Sequence, residues 1–509
     1  MQTADFVFLH RTSKVTAQPS SGFTISDIRR IIIGLMLIIL LGALDQTIVS
    51  VSLPQMAHDL GSVSMLAWVV SGYLVASTVS TPVYGKLGDL YGRRMLLSIA
   101  VVIFLIASVG CALAQTMPML VLARVLQGIG GGGLISSAQA IIGDVVPLRE
   151  RGRYQGYISV VYAVASVGGP VLGGYLTHLL SWRWVFWINL PLGVVALWTA
   201  RRALKSLPVP GVKLPVDYFG AILLTTGLSL LLVAITRVGQ GVALLSPDTL
   251  WLMAVSVVLL MVFVRQEHRT AEPLIPLGLF KIRTVWIGCT ILFISFFQVV
   301  SLSVLVPFGM QTLDGIGPDA AALRLIAFSL AVPAGAFTGG RWMMHTGRYK
   351  PLQVTGTALL PLATLILAYL GPHANFANSA VLALAGFSIG MTMPTSLVAV
   401  QNAVPQKNIG IATAMTALFR SMGGAIGVAI LSSILFALLH GGGTTTGIEA
   451  GIQNAVSSDP AHASFAFRVT LLCSALIAAA AHVLAWMIPE NTLRTGSQAA
   501  AKKTEEKIS

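Results

Sequence analysis

Long apolar runs dominate the chain and restrict what it can fold into. A helix needs about 20 mostly apolar residues to cross the hydrocarbon core of a bilayer, and the sequence contains fourteen such runs. Their approximate limits are 31–53, 66–84, 95–115, 119–142, 157–179, 184–200, 218–236, 249–265, 285–307, 323–344, 352–370, 379–403, 411–439 and 467–488. The runs are continuous and do not alternate at every second residue, which favours membrane helices over the strands of a β-barrel. The sequence therefore predicts an all-α integral membrane protein.

Composition and charge narrow the possible functions. Of the 509 residues, 55% are hydrophobic and 10% are charged, whereas a soluble domain has about 25% charged residues. This excludes an ordinary soluble enzyme. The net charge is +14, but about 26 of the 32 Lys and Arg residues face the cytoplasm when both termini are placed there. Because this bias is the usual orientation signal of membrane helices, it predicts a multi-pass cell-membrane (inner or plasma membrane) protein with cytoplasmic termini, and no nucleic-acid binding.

Two pairs of short motifs indicate an internal repeat. The Gly-Lys pair at 85–86 recurs as Gly-Arg at 340–341, offset by 255 residues, and the Val-Pro pair at 146–147 recurs at 404–405, offset by 258 residues. Such near-equal offsets predict two homologous halves of six spans, with the seventh and eighth spans inserted between them. The predicted division is an N-terminal tail (1–28), a first half (29–203), an inserted helix pair with its linkers (204–284), a second half (285–489) and a C-terminal tail (490–509).

Several motifs occur in the order and spacing of one known family. They are LDQTIV at 44–49, GKLGDLYGRR at 85–94, RVLQGIG at 124–130, GGPVLGG at 168–174 and WRWVFWINLP at 182–191. With them the chain resembles the major facilitator superfamily, and within it the fourteen-span drug/proton antiporter branch. The resemblance implies the major facilitator fold, with two six-helix halves and two inserted central helices. It also implies multidrug efflux by proton antiport, and hence drug resistance.

Asp45 is the only carboxylate that the predicted spans place deep in the membrane. An ionised acid there costs about 2.5–3.5 kcal/mol on insertion scales, and such residues are usually functional. A carboxyl group that takes up a proton at one membrane face and releases it at the other can couple proton flow to transport. The alternative is a purely structural hydrogen bond, for example to Thr47.

Arg124 is the expected partner of Asp45. A rise of about 1.5 Å per residue puts the two side chains within one helical turn of the same depth in antiparallel spans. Gln127 lies one turn from Arg124 and can hold its side chain. The alternative is an Arg that only satisfies backbone carbonyl groups. The predicted proton-coupling pair is therefore Asp45 and Arg124.

The loop after the second span is, by resemblance, a cytoplasmic gate. Asp89 can pair with a neighbouring Arg or with a helix end, and so hold the two halves together; the basic residues also serve topology, which is the other interpretation. The second-half repeat has Met344 where Asp89 stands, so we expect its charge network to be weaker. The predicted gating residues are Gly85, Asp89, Gly92, Arg93 and Arg94.

The fifth span carries a motif of small residues around a proline. Small residues let helices approach closely, and a proline inside a helix favours a kink, so we expect a hinge between the two halves. Simple helix packing is the alternative, and the link to export comes from the resemblance alone. The residues of this antiporter-type motif are Gly168, Gly169, Pro170, Gly173 and Gly174.

Arg420 lies inside the thirteenth span. Because an Arg facing lipid is costly, it should face a cavity or a carbonyl group, and substrate, gating and structural roles all remain open. Other polar and aromatic span residues are candidates for the lining of the same cavity. They are Gln127, Tyr162, Phe296, Phe297, Gln298 and Gln401.

The sequence thus predicts a proton-coupled secondary antiporter that exports lipophilic or cationic drug-like compounds by alternating access. With Asp45 as the one deep acid, weakly charged or monocationic substrates are favoured. No GxxxxGK[ST] loop is present, so neither ATP-driven pumping nor a cofactor is expected, and no Cys or His spacing suggests a metal site. The expected partners are small-molecule substrates, protons and the lipid bilayer; envelope efflux partners are left open.

Two alternatives remain. A proton-coupled transporter of one specific metabolite would use the same fold, and a fold alone does not choose among substrates. A membrane enzyme or receptor is the alternative of another class. Neither an HExxH motif nor a long loop that would hold a ligand domain is present in the sequence, so we do not expect an enzyme.

Overall fold

The chain folds into a helical bundle. A computed structural model describes residues 25–61, 65–206, 217–239, 242, 245–270, 273–373, 375–440 and 460–490. The predicted tails, 1–28 and 490–509, lie almost wholly outside these ranges. Within them the chain forms α-helices and a few short 3-10 turns, and no strand. The prediction of an all-α membrane protein is confirmed.

Fifteen α-helices account for the described residues. They are α1 (Ile25–Leu60), α2 (Leu66–Tyr91), α3 (Arg93–Ala112), α4 (Met117–Val145), α5 (Leu148–Leu179), α6 (Trp184–Trp187), α7 (Asn189–Ala203), α8 (Tyr218–Gly239), α9 (Pro247–Glu267), α10 (Arg283–Asp314), α11 (Pro318–Thr346), α12 (Lys350–Leu370), α13 (Phe376–Ala403), α14 (Ile409–His440) and α15 (Pro460–Met487). Among the described residues, twelve of these helices are long and apolar enough to cross a membrane. The other two predicted spans correspond to α2 and to the α6–α7 pair.

The sixth predicted span is broken. α6 has a single turn and ends at Trp187, and α7 begins at Asn189. Pro191 explains the break, because proline has no N–H to bond to the carbonyl group four residues earlier and is tolerated only in the first turn of a helix. Asn189 is the first residue of α7 and is fully buried inside the bundle.

Two sets of helices and an inserted pair make up the bundle. Several buried clusters join only residues of α1–α7, and others only residues of α10–α15 and the segment just after it. One cluster crosses between the sets: Leu224 of α8 packs with Val79 of α2 and Met415 of α14. The inserted helix α8 therefore covers the seam at which α2 of the first set meets α14 of the second, and α9 packs on α8. The end of the bundle at which α1 begins and α2 ends carries most of the Arg and Lys residues, and we call it the basic end.

Close packing around α4 depends on its run of glycines. At Gly128 and Gly132 a Cβ atom would collide with backbone carbonyl oxygens of α2, and at Gly130 it would lie 2.7 Å from the Phe104 nitrogen of α3. Helices that approach this closely gain dispersion contacts that replace the missing hydrophobic drive between helices in lipid. The glycine run is thus a packing surface for two neighbours at once.

We predict that Gly132→Val lowers the stability of the purified protein by about 1–3 kcal/mol, because the added atoms force α2 away from α4. The apparent melting temperature in detergent would fall by several degrees. Gly168→Ala is the control, since a Cβ at Gly168 meets nothing within 4 Å. An equal melting temperature for Gly132→Val and Gly168→Ala would contradict this account of the packing.

Candidate functional site

Asp45 lies at the centre of a buried polar network in the first set of helices. Its side chain has no exposed surface, and Oδ2 lies 2.7 Å from Arg124 Nη1. Its Oδ1 accepts hydrogen bonds from Gln127 Nε2 and from Asn189 Nδ2, each at 2.9 Å. Ser108 Oγ accepts from the same two amide groups, at 2.7 Å from Gln127 and 3.3 Å from Asn189. The carboxylate therefore has three donors from two helices other than its own.

The Arg124 side chain has polar partners on α1, α2 and α4. Its Nε donates to the Val69 carbonyl oxygen at 3.1 Å, and its Nη1 also donates to Gln127 Oε1 at 2.7 Å. The guanidinium carbon stands 4.3 Å from the ring centroid of Tyr73, so a cation–π contact adds to the ion pair. The structure thus brings Asp45, Arg124 and Gln127 together and makes Gln127 a part of this network.

Asp89 ties the two sets of helices together at the basic end. Its Oδ2 accepts from the backbone nitrogen of Ile411 at 3.1 Å, at the start of α14, while its Oδ1 lies 2.9 Å from Arg93 Nη2. Arg93 Nε also lies 2.6 Å from Asp144 Oδ2 at the end of α4. A carboxylate at a helix N-terminus is favourable, because it meets free N–H groups and the positive end of the helix dipole.

Glycines bring the same helices into contact. A Cβ atom at Gly85 would touch Ala414 of α14, and Gly92 has a φ of 93°, which only glycine adopts readily where α2 turns into α3. Within the described residues, Asp89 and Asp144 both pair with Arg93, and Arg94 takes no part in these ion pairs.

The second set repeats the contact without the charges. A Cβ atom at Gly152, at the start of α5, would lie 2.9 Å from the Cα of Gly340 in α11. Met344 occupies the place that Asp89 has in the first set, and the Arg that matches Arg93 is Arg348, which is 3.6 Å from the exposed Glu490. The basic end therefore has two glycine contacts related by the repeat, of which one is reinforced by a partly buried ion-pair network.

Arg151 adds a further link across the basic end. It is buried at the start of α5 and donates to the carbonyl oxygens of Gly143 and Val146. Its Nη1 also donates to Gln401 Oε1 of α13 at 3.0 Å, and Gln401 Nε2 in turn donates to Thr413 Oγ1 of α14 at 2.9 Å. One chain of hydrogen bonds thus connects α4 and α5 of the first set to α13 and α14 of the second.

The glycine motif of α5 packs within the first set. At Gly169 a Cβ atom would collide with Thr47 Oγ1, and at Gly173 it would lie 2.6 Å from the Ile48 carbonyl oxygen. Thr47 Oγ1 also donates to the Ala165 carbonyl oxygen at 2.8 Å. Gly169 and Gly173 therefore pack α5 closely against α1 of the same set, and the hinge between the halves stays a prediction.

The other residues of the motif have different surroundings. Gly174 makes only an ordinary contact with Val51 of α1, and Gly168 faces an open apolar groove between α5 and α11. α5 continues through Pro170 as one helix.

A pocket with polar and apolar walls lies between the two sets of helices. It is nearer the middle of the bundle than the contacts at the basic end. Its lining residues come from α4, α5, α10, α13 and α14. They are Gln139, Gln155, Ile158, Ser159, Tyr162, Leu292, Met393, Pro394, Leu397, Thr416, Ala417 and Arg420. Of the predicted cavity residues, Tyr162 and Arg420 line this pocket, and Phe296 stands beside it with its ring centroid 4.9 Å from the Arg420 guanidinium carbon.

Four predicted cavity residues lie elsewhere. Gln127 belongs to the Asp45 network, and Gln401 to the basic-end link. Phe297 is buried between α10 and α14, and Gln298 is buried against α15, where it exchanges hydrogen bonds with Ser474. None of the four lines this pocket. Apolarity alone does not show which face of a helix turns towards it.

The two sets separate away from the basic end. Along α5, a Cβ atom would touch α11 at Gly152 and at Gly156, but it would meet nothing at Gly168. The contacts described between the sets, at Gly85, Gly152, Asp89 and Arg151, all lie at the basic end. The pocket is therefore closed towards the basic end, and α5 and α11 are further apart at Gly168 than at Gly152.

Comparison with known proteins identifies the family to which this arrangement belongs. The Major Facilitator Superfamily profile matches residues 35–428, which are most of the chain. The chain belongs to the Major Facilitator Superfamily. This family is one of transporters, and the helical fold of the chain is the fold of that family.

Relatives of this superfamily member include multidrug transporters. An uncharacterized MFS-type transporter of Mycobacterium tuberculosis is 36% identical over 426 residues, which are 83% of this chain and 62% of that protein. The chain thus spans less than two thirds of that relative's length. The multidrug transporter protein MdtP of Bacillus subtilis is 32% identical over 80% of this chain and 75% of its own length. Multidrug resistance protein 3 of the same organism is 31% identical over 79% of each chain.

Solved structures of the superfamily share the fold. The proton:xylose symporter XylE matches 94% of this chain and 99% of its own, with a TM-score of 0.63 at 16% identity. A bacterial homologue of ferroportin in the outward-facing state matches 91% of this chain and 98% of its own, with a TM-score of 0.60 at 12% identity. Identities this low show the fold alone.

The sequence alone did not predict several residues of the site in this superfamily member. Asn189 lies in the WRWVFWINLP motif. A polar amide two residues before a proline in an apolar span could have indicated a buried polar contact. Arg151 entered only the count of Lys and Arg residues, and Asp144 was not singled out. Gln139 and Gln155 gave no signal, because a single Gln in a span is compatible with either face of a helix.

We predict that Asp89→Ala opens the basic end more often, because α14 loses its N-terminal acceptor and Arg93 loses one carboxylate. A reporter cysteine is placed in the pocket by Ser159→Cys, in a Cys473→Ser background that leaves only the buried Cys111 and Cys289. An impermeant thiol reagent applied from the basic end should label it about tenfold faster, as expected when a charge-assisted hydrogen bond is lost.

Arg348→Gln is the matched control, since Arg348 is the repeat-related residue and its ion pair is exposed. Its labelling rate should equal that of the parent. Equal rates for Asp89→Ala and Arg348→Gln would show that the Asp89 contacts do not hold the basic end closed.

Proposed function

We propose that the protein is a proton-coupled antiporter that exports lipophilic drug-like compounds by alternating access. This proposal depends on one observation: Asp45 is buried and paired with Arg124. Its helix α1 also packs against α5, which extends to the basic end. The membrane would be the cell membrane, with the basic end and both termini in the cytoplasm, as the distribution of Lys and Arg suggests. Multidrug transporters among the relatives support the substrate class.

The Asp45 network is equipped for both charge states of the carboxyl group. Ionised Asp45 is matched by the charge of Arg124 and by two amide donors. A protonated carboxyl group needs an acceptor instead. Asn189 Oδ1 is buried and has no hydrogen-bond partner among the described residues. A rotation of that amide group would present this oxygen to the new O–H, in exchange for the hydrogen bonds that Asn189 Nδ2 donates to Asp45 and Ser108.

A change at Asp45 has a direct route to the basic end. Thr47, two residues further along α1, is bonded to the Ala165 carbonyl oxygen and packed against Gly169 of α5. α5 then runs without interruption to Gly152, which touches Gly340 of α11. Protonation weakens the attraction between α1 and Arg124 of α4. In our proposal the resulting movement of α1 is carried by α5 to the contact that closes the basic end.

We expect Asp45→Asn to abolish transport driven by a pH gradient while substrate binding remains. The change removes the titrating group but keeps an amide of the same shape among its donors. The protein would be reconstituted in proteoliposomes, with accumulation of a fluorescent lipophilic dye followed after a pH jump. Asp248→Asn is the control, because Asp248 is 79% exposed and 3.6 Å from Arg237 at the opposite end.

Arg124→Ala should likewise lose gradient-driven transport but remain folded in the membrane. Gradient-driven accumulation that survives in Asp45→Asn would place the proton site elsewhere, and normal coupling in Arg124→Ala would remove Arg124 from the mechanism. If the wild type transports no dye at all, a carrier of one specific metabolite becomes the better hypothesis.

A further inference from the structure

The pocket between the two sets has a definite chemical character. One wall, from α4 and α5, presents Gln139, Gln155, Ser159 and Tyr162. The opposite wall is mostly apolar and is built by Leu292, Met393, Pro394 and Leu397. A ligand that fills the pocket would therefore need both an apolar body and a polar group. The charge of that polar group depends on the ionisable residues that reach the pocket.

Arg420 is the only residue among those lining the pocket that carries a formal charge. Within the described part of the chain no carboxylate lies within ion-pair distance of it; the ion pairs found there join other residues. Its guanidinium group rests on the Phe296 ring, at 4.9 Å, and lies beside Tyr162. Both neighbours are neutral, so the positive charge of Arg420 is not compensated in the pocket.

Asp45 does not supply the missing negative charge. It has no exposed surface, and Arg124 Nη1 is 2.7 Å from it. Leu44 and Tyr162 pack together between the Asp45 region and the pocket. The carboxylate is therefore neutralised and enclosed within the first set. The expectation of cationic substrates depended on Asp45 acting as the acid of the cavity, which this geometry does not provide.

We propose that the pocket binds lipophilic organic anions, such as aromatic carboxylates, phenolates or sulfonates. The anionic group would pair with Arg420 and accept hydrogen bonds from the amides of Gln139 or Gln155, and the apolar body would lie on Leu292, Met393 and Leu397. A half-buried Arg in a pocket of a membrane protein favours an anion, because its charge-assisted hydrogen bonds form in a medium of lower dielectric constant than water. The inference rests on the proposed function insofar as it takes this pocket as the substrate site.

The test is a binding measurement with three one-ring probes that share an apolar body and differ in the charge of the head group, because the pocket has a volume of only about 50 Å³. 4-Phenylbutyrate is the anion, protonated 4-phenylbutylamine is the cation and 4-phenylbutanol is neutral. Binding of each probe to the purified protein in detergent would be measured by isothermal titration calorimetry, at one pH and without a gradient. The wild type should bind the anion at least about tenfold more tightly than the cation.

Variants at Arg420 assign the preference to this residue. Arg420→Gln should weaken binding of the anion by about tenfold or more and leave the neutral alcohol within about threefold. Arg420→Lys should keep most of the preference, and Arg420→Glu should favour the cation. Arg324→Gln is the matched control: it removes a positive charge from α11, outside the pocket, and should leave all three affinities unchanged. Size-exclusion profiles identify any variant that fails to fold. If Arg420→Gln fails to fold, Arg420→Lys is compared with Arg324→Gln instead.

Tighter binding of the cation than of the anion by the wild type would overturn the inference. So would an anion affinity that survives in a folded Arg420→Gln protein. Because no gradient is applied, this outcome is separate from the proton-coupling test. Asp45→Asn should still prefer the anion, so loss of coupling with retained preference would support both proposals. Anion preference in a protein that shows no proton coupling would support this inference and reject the proposed antiport.

Discussion

The buried ion pair of Asp45 and Arg124 is the interaction on which the first half of the molecule is organised. Removing two such ions from water costs several kcal/mol for each, and their attraction repays this only when the remaining polar atoms also find partners. Here the partners come from α2, α3, α4 and α7 as well as α1. Five helices must therefore converge at one level of the bundle. The break between α6 and α7 lies next to Asn189, which donates a hydrogen bond to the carboxylate.

The basic end shows how one repeat serves two purposes. Close glycine contacts occur at both repeat-related seams, between α2 and α14 and between α5 and α11. Among the described residues, the ion-pair network of Asp89, Arg93 and Asp144 is present at one seam only, and so is the covering by α8. The two seams therefore differ in strength although they share a geometry.

The sequence predicted those features that depend on polarity along the chain. The apolar runs indicated the helices, although α1 extends from 25 to 60 where the run suggested 31–53. The depth argument paired Asp45 with Arg124, because depth follows directly from residue counting. The rotation of each helix does not follow from counting. For that reason counting did not indicate that Gln298 contacts α15, that Gln401 lies at the basic end, or that Gly169 and Gly173 pack against α1.

A single uncompensated guanidinium in the pocket has an electrical consequence. When the empty carrier changes from one orientation to the other, the fixed charge of Arg420 changes its position relative to the membrane potential, which acts on a full charge with about 2.3 kcal/mol per 100 mV. With an anion bound, the pocket is neutral and the same movement transfers no net charge there. The return of the empty carrier would then be the voltage-sensitive step of the cycle, and the loaded step would depend on the concentrations of substrate and protons.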